Sequence, residues 1–205
     1  MAKDPEILAH QEWLGYVQPV GLVVSIPALT QAQAYVNKNI IPDHQRFLAC
    51  LPEDETAERR ITNFPAFTRT VLGWEPADLL GTPDGGPVPD SLEVALPEYG
   101  ETLKPAFAVR EFDKSGTGAW LMLIHELRPG TDFDKVVESD DRRWQASPQA
   151  RFERLLRETQ VPIGLITSGT HLRLVYAPRG ETSGHATFCE GRLKSAAPGG
   201  LPAVG

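Results

Sequence analysis

The chain has 205 residues, which is long enough for one full-sized domain or two very small ones, and we expect one. Its apolar fraction of 41% and charged fraction of 23% are close to globular averages and exclude disordered, collagen-like and membrane-spanning classes. A net charge of −7 repels a phosphate backbone, so contact with nucleic acid would require a local basic surface.

The compartment is indicated by the start of the sequence and by the cysteines. The first residues lack the pattern of a secretory signal, and no apolar run approaches the roughly 18 residues of a membrane span. Cys50 and Cys189 lie far apart without a second Cys or His at zinc-ligand spacing. We therefore predict a cytoplasmic protein with reduced, buried thiols.

The N-terminal part of the sequence is predicted to be mainly helical. Residues 16–26 form an apolar, β-branched run made irregular by proline and glycine, which is typical of an edge strand or loop entry. A helical pattern with Thr30 as N-cap follows, is interrupted at Pro42 and resumes as a second short helix over 43–51. Apolar residues at three- and four-residue steps then predict an amphipathic helix over 61–73.

The middle of the sequence is rich in strand signals. Residues 81–89 contain too many Gly and Pro for a regular element and predict a loop. Strands are predicted at 92–96, 107–112 and 119–125, and the short turns between them indicate an antiparallel meander. The last of these is apolar on both faces, as expected for a central strand covered from both sides.

A further helix and a strand pair follow an acidic linker at 132–141. Ser147 followed by Pro148 predicts a helix N-cap with proline at the first helical position. Strands are predicted at 163–167 and 171–177.

The whole pattern predicts an α+β, or mixed α/β, fold in a single domain over residues 1–190. Within it, 1–80 is the mainly helical part and 90–190 the sheet part, and 191–205 is expected to be a flexible tail.

The order helix, three-stranded meander, helix, strand is that of the restriction-endonuclease-like nuclease core. The stretch RFERLLRET at 151–159, followed by PIGLITSGTHLRLVY at 162–176, is similar to a helix and G-[IL]-[IL]-T-[NS]-G segment of restriction-modification proteins. ETLKPAFAV at 101–109 is similar to the segment that precedes and contains the nuclease aspartate. Residues 90–190 thus resemble the N-terminal region of type IIG-like adenine methylase-nuclease proteins of bacterial phage defence.

The resemblance implies a nuclease fold without its catalytic residues. Such nucleases hold a divalent metal with an acid on the second strand and an acid-x-Lys on the third. The matching positions here are Ala106, His125 and Leu127, so we expect no catalytic residue and no metal. The alternative is an active Mg²⁺-dependent DNA endonuclease with a variant site, drawn from Glu98, Glu101, Glu111, His125 and Glu126.

The methylase half of the resembled proteins has no counterpart in this sequence. It contains no glycine-rich loop after a strand to hold S-adenosylmethionine and no Asn-Pro-Pro-aromatic segment to grip an adenine. We therefore expect no cofactor, apart from Mg²⁺ if the variant site is real. The module would work with a methylase domain or partner protein.

A basic stripe is predicted on the helix over 148–159. Arg151, Arg154 and Arg157 fall three residues apart, and Arg173 follows on a strand, which makes these four the candidate DNA-binding residues. Interleaved glutamates at 153 and 158 offer another explanation, namely salt bridges on a solvated helix. Together with the resemblance, this stripe implies an accessory or DNA-docking module of a restriction-modification or phage-defence system, the other alternative being a protein-interaction scaffold without nucleic acid.

Overall fold

A computed structural model describes residues 4–37, 39–52, 60–111, 120–136 and 144–189, without the side chains of Gln18 and Cys189. The five helices in these ranges are α1 Pro5–Tyr16, α2 Ile26–Gln31, α3 Ile41–Leu48, α4 Phe64–Val71 and α5 Pro148–Thr159. The strands are β1 Gln18–Val20, β2 Leu79–Leu80, β3 Val94–Leu96, β4 Glu101–Leu103, β5 Phe107–Arg110, β6 Trp120–Glu126, β7 Ile163–Thr167, β8 His171–Tyr176 and β9 Gly184–Cys189. Short 3₁₀ turns lie at Pro76–Asp78, Asp90–Leu92 and Pro97–Tyr99.

One mixed seven-stranded sheet organises the structure, in the order β1-β9-β8-β7-β6-β5-β2. All neighbouring strands are antiparallel except β6 and β7, which are parallel and therefore need a crossover connection. Helix α5 supplies that connection. Strands β3 and β4 form a separate two-stranded hairpin. The α+β class predicted from the sequence is thus confirmed.

Helix boundaries follow local capping chemistry. The Ser147 hydroxyl accepts the Ala150 N–H at 3.2 Å, and Pro148 occupies the first turn of α5, as predicted. Asn63 caps α4 in the same way, accepting the Ala66 N–H at 2.9 Å. These caps fix where the two helices begin relative to the sheet.

The sheet is covered on both faces, and β6 shows the division. Leu123 belongs to a cluster with Phe152 of α5, and the next residue, Ile124, belongs to one with Phe64 of α4. We call these the α5 face and the α4 face. Successive side chains of a strand point to opposite sides, so a strand buried on both faces is apolar throughout. The predicted central, doubly covered strand is therefore confirmed in β6.

The predicted meander was only partly right. The strand expected at 92–96 exists as β3, but it pairs with β4 outside the main sheet. On the side away from β6, the antiparallel neighbour of β5 is instead β2, which is only two residues long. The hairpin lies apart from the sheet because its leucines, together with the turn before it, pack onto the α5-face cluster. These are Leu92, Leu96 and Leu103.

The helical predictions also needed correction. Helix α2 begins at Ile26 with Ser25 as its cap, not at Thr30, and it ends at Gln31. Pro42 starts α3 instead of breaking a helix, because proline fits the first turn, where its missing N–H is not needed. Helix α1 and strand β9 were not predicted. Residues 16–26 do contribute an edge strand, β1, which pairs with β9.

The remaining predictions concern the two cysteines, the acidic linker, the C-terminal tail and membrane crossing. Cys50 is a free, half-buried thiol, and its S–H donates to the Arg46 carbonyl at 3.4 Å. The side chain of Cys189, part of the acidic linker and the tail at 191–205 lie outside the described residues. Among the helices that are described, none combines the length and apolar character needed to cross a membrane.

The contact between α5 and β7 can be tested by adding one methyl group. A Cβ on Gly164 would lie 2.4 Å from one Phe152 ring carbon and 2.9 Å from a Leu156 methyl. Both side chains are buried, so we expect Gly164→Ala to lower the free energy of unfolding by about 1–3 kcal/mol in urea denaturation. Gly15→Ala is the control, because nothing lies within 4 Å of its Cβ, and it should change stability by less than about 1 kcal/mol. Equal effects of the two substitutions would contradict this packing.

Candidate functional site

The three positions matched to nuclease residues lie at one end of the main sheet. The register pairs Phe107 with Ile124, and the Ala106 N–H donates to the Ile124 carbonyl at 2.8 Å. Ala106 therefore lies beside His125 on the neighbouring strand. Two residues further on, the Leu127 N–H donates to the Thr167 carbonyl at 2.8 Å, at the end of β7. The backbone thus brings positions 106, 125 and 127 together.

The side chains at these positions are surrounded by apolar groups. The His125 ring stacks on Phe152 with 5.7 Å between centroids, and Leu127 packs on the same α5-face cluster. Ala106 packs instead against the α4-face cluster. Burial lowers the pKa of His125, so its imidazole is neutral at physiological pH. Its Nδ1 is buried and has no hydrogen-bond partner among the residues that the structure describes.

This end of the sheet does not fit a magnesium ion. Mg²⁺ requires oxygen ligands in nearly octahedral geometry. Ala106 and Leu127 carry no ligand atom, and the His125 ring offers nitrogen only and is closed over by Phe152. Glu126, the next residue along β6, is exposed, and its alternation with His125 directs it to the opposite face. A His-Glu pair on one face is therefore not formed.

The acidic residues proposed for a variant site lie in separate places. Arg110 pairs with Trp120, so Glu111 lies near one end of the β5–β6 ladder and Glu126 at the other, about 20 Å away along the strand. Glu98 and Glu101 belong to the 3₁₀ turn and strand of the β3–β4 hairpin. Within the described ranges, no three His, Cys, Asp or Glu side chains are grouped to hold a metal ion.

The α5 arginines each form an ion pair with a carboxylate. Arg157 pairs with Glu153 at 3.3 Å one turn away, as the salt-bridge interpretation predicts. Arg151 pairs with Glu101, and Arg154 with Glu98 at 3.1 Å. The two latter carboxylates come from the hairpin and not from α5. Arg151 and Arg154 therefore link α5 to the β3–β4 hairpin, whereas Arg157 pairs within the helix.

Trp144 strengthens this attachment just before α5 begins. Its carbonyl accepts a hydrogen bond from Arg151 at 3.0 Å, and the Arg154 guanidinium lies over its ring at 5.1 Å. Tyr99 of the hairpin turn stacks on the same indole with 6.1 Å between centroids. A backbone hydrogen bond, followed by Arg154, lowers the pKa of Glu98, so this carboxylate stays charged.

Arg173 occupies a different environment from the stripe. It is 7% exposed on β8 and donates to both carboxylate oxygens of Asp134, at 2.6 and 2.8 Å. Its Nε donates to the Thr187 hydroxyl at 2.9 Å, and its guanidinium lies 5.1 Å from the centre of the Phe133 ring. The hydrogen bond from Arg173 lowers the pKa of Asp134.

The sequence analysis does not single out Asp134 or Trp144 as site residues. Asp134 lies within the acidic linker predicted at 132–141, and Trp144 belongs to no motif. The sequence does contain a signal for Asp134, because the neighbouring Phe133 interrupts the acidic segment, and the structure buries Phe133 at 4% exposure. A large apolar residue inside an acidic run indicates a segment anchored to the core.

Comparison with known proteins assigns no relative. No protein-family model matches the chain, and no curated protein or solved structure matches it either.

The environment of His125 predicts a pH dependence of stability. Since the pKa of His125 is lower in the folded state, this residue takes up a proton in the unfolded chain but not in the folded one as pH falls below the ordinary histidine value of about 6.5. The stability conferred by the neutral ring is present above that value and is lost as pH falls towards the folded pKa.

His125→Phe removes this proton uptake and keeps an aromatic ring on Phe152. We expect the free energy of unfolding to fall less between pH 7.5 and 5.5 in the variant than in the wild type, by at most about 1.4 kcal/mol per pH unit. Urea denaturation at both pH values measures the difference. Burial also lowers the pKa of His185, but that residue is common to both proteins and cancels. Identical acid sensitivity would place His125 in water.

Proposed function

We propose that this chain is an accessory docking module of a restriction-modification or related phage-defence system. It has a restriction-endonuclease-like core that has lost metal-dependent cleavage, and it docks on DNA or on the methylase part of the same system. The observation that carries the proposal is the occupancy of the three matched positions by Ala106, His125 and Leu127 at one sheet end.

The element order agrees with such a core. Helix α4 is followed by the antiparallel strands β2, β5 and β6, then by the crossover helix α5 and strand β7. The β3–β4 hairpin is inserted between the first and second of these strands. This order supports the nuclease-like interpretation, which otherwise depends on the sequence stretches at 101–109 and 151–176.

Loss of cleavage follows from the chemistry of the matched positions. Phosphodiester hydrolysis by such a core needs carboxylates to hold the metal and a lysine to orient the attacking water. A neutral imidazole stacked on Phe152, an alanine and a leucine provide none of these groups. The apolar packing that replaces them stabilises the sheet end and leaves the module its docking role.

A second candidate function, a protein-interaction scaffold, is favoured by the distribution of charge and of apolar surface. All four candidate DNA-binding arginines are paired with carboxylates. Within the residues that the structure describes, most of the exposed large apolar side chains belong to α1, α2, α3 and their connections, and a contiguous surface of such side chains would favour a protein partner. They are Ile7, Leu8, Tyr16, Val20, Leu22, Tyr35, Val36, Ile40, Ile41 and Leu48.

The nuclease alternative is tested with supercoiled plasmid. We expect no cleavage by the purified chain in Mg²⁺ or Mn²⁺, because the matched positions supply no carboxylate. Gel electrophoresis of the plasmid over a time course measures nicking and linearisation. Cleavage that persists through purification and disappears in Glu126→Ala would overturn the proposal and establish a variant site.

DNA docking is tested by neutralising the two more exposed arginines of the stripe. We expect Arg154→Gln with Arg157→Gln to weaken binding of a duplex oligonucleotide and to lower the slope of log K against log salt by up to about 2. Arg46→Gln with Arg69→Gln is the matched control, because it removes the same charge from α3 and α4.

Fluorescence anisotropy at several salt concentrations measures both variants, and circular dichroism verifies that they fold. If the control double variant loses as much affinity as the test variant, DNA does not contact the α5 stripe. If the wild type itself does not bind duplex DNA, docking on DNA is excluded, and the partner is a protein, either the methylase part or the partner of a scaffold.

A further inference from the structure

Arg173 is a buried cation that is covered by a solvent-facing anion. Its side chain is 9% exposed, whereas that of its partner Asp134 is 60% exposed. The two groups form a bidentate pair at 2.6 and 2.8 Å. A guanidinium makes the same fork with carboxylates and with phosphates. The carboxylate of Asp134 therefore occupies, from the solvent side, the position of an oxyanion ligand.

Neighbouring groups position the guanidinium of Arg173, and a helix N-terminus lies beside it. The side chains of Thr187 and Gln149 accept hydrogen bonds from Arg173 at 2.9 and 3.5 Å and hold the guanidinium in place. The Gln149 N–H, in the first turn of α5, donates to the carbonyl of Phe133, the residue before Asp134. The N-terminus of this twelve-residue helix thus lies beside the pair and adds its partial positive charge.

Asp134 can leave this position without rearrangement of the fold. Phe133 is 4% exposed in the α5-face cluster and carries the backbone hydrogen bond to α5, so the chain is anchored one residue earlier. The carboxylate itself is largely exposed, and rotation about χ1 would move it into solvent. Departure of the carboxylate would leave the fork of Arg173 open to an anion approaching from the same side.

We propose that Arg173 is the centre of a phosphate-binding site that Asp134 occupies as an internal anion. A phosphate group enters by displacing the carboxylate, and Asp134 thereby keeps the site closed to weak or dilute anions. This inference deepens the proposed function and rests on it where the phosphate belongs to a DNA backbone. The same chemistry accepts free inorganic phosphate, and the experiment separates the two sources.

The test removes the charge of Asp134 and retains its shape. We expect Asp134→Asn to bind inorganic phosphate at least about tenfold more tightly than the wild type, because the competing charge is gone. Isothermal titration calorimetry at constant ionic strength, with sodium chloride replacing phosphate, measures the affinity. Asp134→Ser serves the same purpose if the asparagine variant does not fold.

Two controls bear on the assignment. Asp132→Asn removes the same charge from the same loop, where Asp132 accepts the Asp134 N–H at 2.9 Å, and it should leave phosphate binding unchanged. Asp134→Asn combined with Arg173→Gln should lose the gained affinity. The proposal is overturned if the wild type shows no phosphate binding, or if Asp134→Asn and Asp134→Ser bind phosphate no more tightly than the wild type. It is equally overturned if the double variant retains the gain.

The same variant is also titrated with a duplex oligonucleotide, so that failure of the phosphate site and failure of the proposed function can be distinguished. A duplex oligonucleotide that also binds Asp134→Asn more tightly supports a backbone phosphate as the ligand. A gain for inorganic phosphate without a gain for the duplex supports the site, assigns it to a free phosphate and counts against DNA docking through Arg173.

Discussion

The close contact between α5 and β7 is the constraint on which the rest of the structure depends. The absence of a Cβ at Gly164 allows the Phe152 ring and Leu156 to lie directly on the sheet. A parallel pair such as β6–β7 requires a crossover element, and its helix must pack back onto the sheet that it connects. The same Phe152 ring then covers His125. The Phe152 ring therefore both packs the crossover helix onto the sheet and covers His125, one of the three positions matched to nuclease residues.

Helix α5 also carries the β3–β4 hairpin, through apolar contacts and ion pairs. Leucines of the β3–β4 hairpin bury themselves against the α5-face cluster, and Arg151 and Arg154 pair with hairpin glutamates at its rim. Partly exposed ion pairs contribute little stability individually, so the apolar contacts hold the hairpin, whereas the arginines fix its orientation. The helix face that looks basic in the sequence is consequently neutral where the hairpin covers it.

The sequence predicts those elements that carry a strong local signal. Ser147 and Pro148 place the start of α5, and the apolar runs place β6, β7 and β8. The two residues of β2 carry no periodicity, and β3 has the same strand pattern whether it pairs inside the main sheet or beside it. Pairing partners depend on distant packing, which a local pattern does not contain.

The same limit applies to the candidate site. Positions 106, 125 and 127 are brought to one sheet end by strand register, which a meander predicts in part. The partners of the arginines are not predictable in this way. Glu98 lies 56 residues before Arg154, and Asp134 lies 39 before Arg173. Arginines that look free along the chain are paired in space, and two of the acids proposed as metal ligands, Glu98 and Glu101, are among their partners.

Paired arginines change what DNA binding by this chain would involve. A free surface arginine that meets a phosphate releases a condensed counterion from the DNA, and that release makes affinity steeply dependent on salt. An arginine already held by Glu98 or Asp134 must also give up its carboxylate when it meets the phosphate. The binding free energy gained is then the difference between two similar ion pairs, and the displaced carboxylate remains nearby to repel the DNA backbone. In a chain of net charge −7, bulk charge does not supply affinity for DNA, so any such affinity depends on the geometry of a few exchanged pairs.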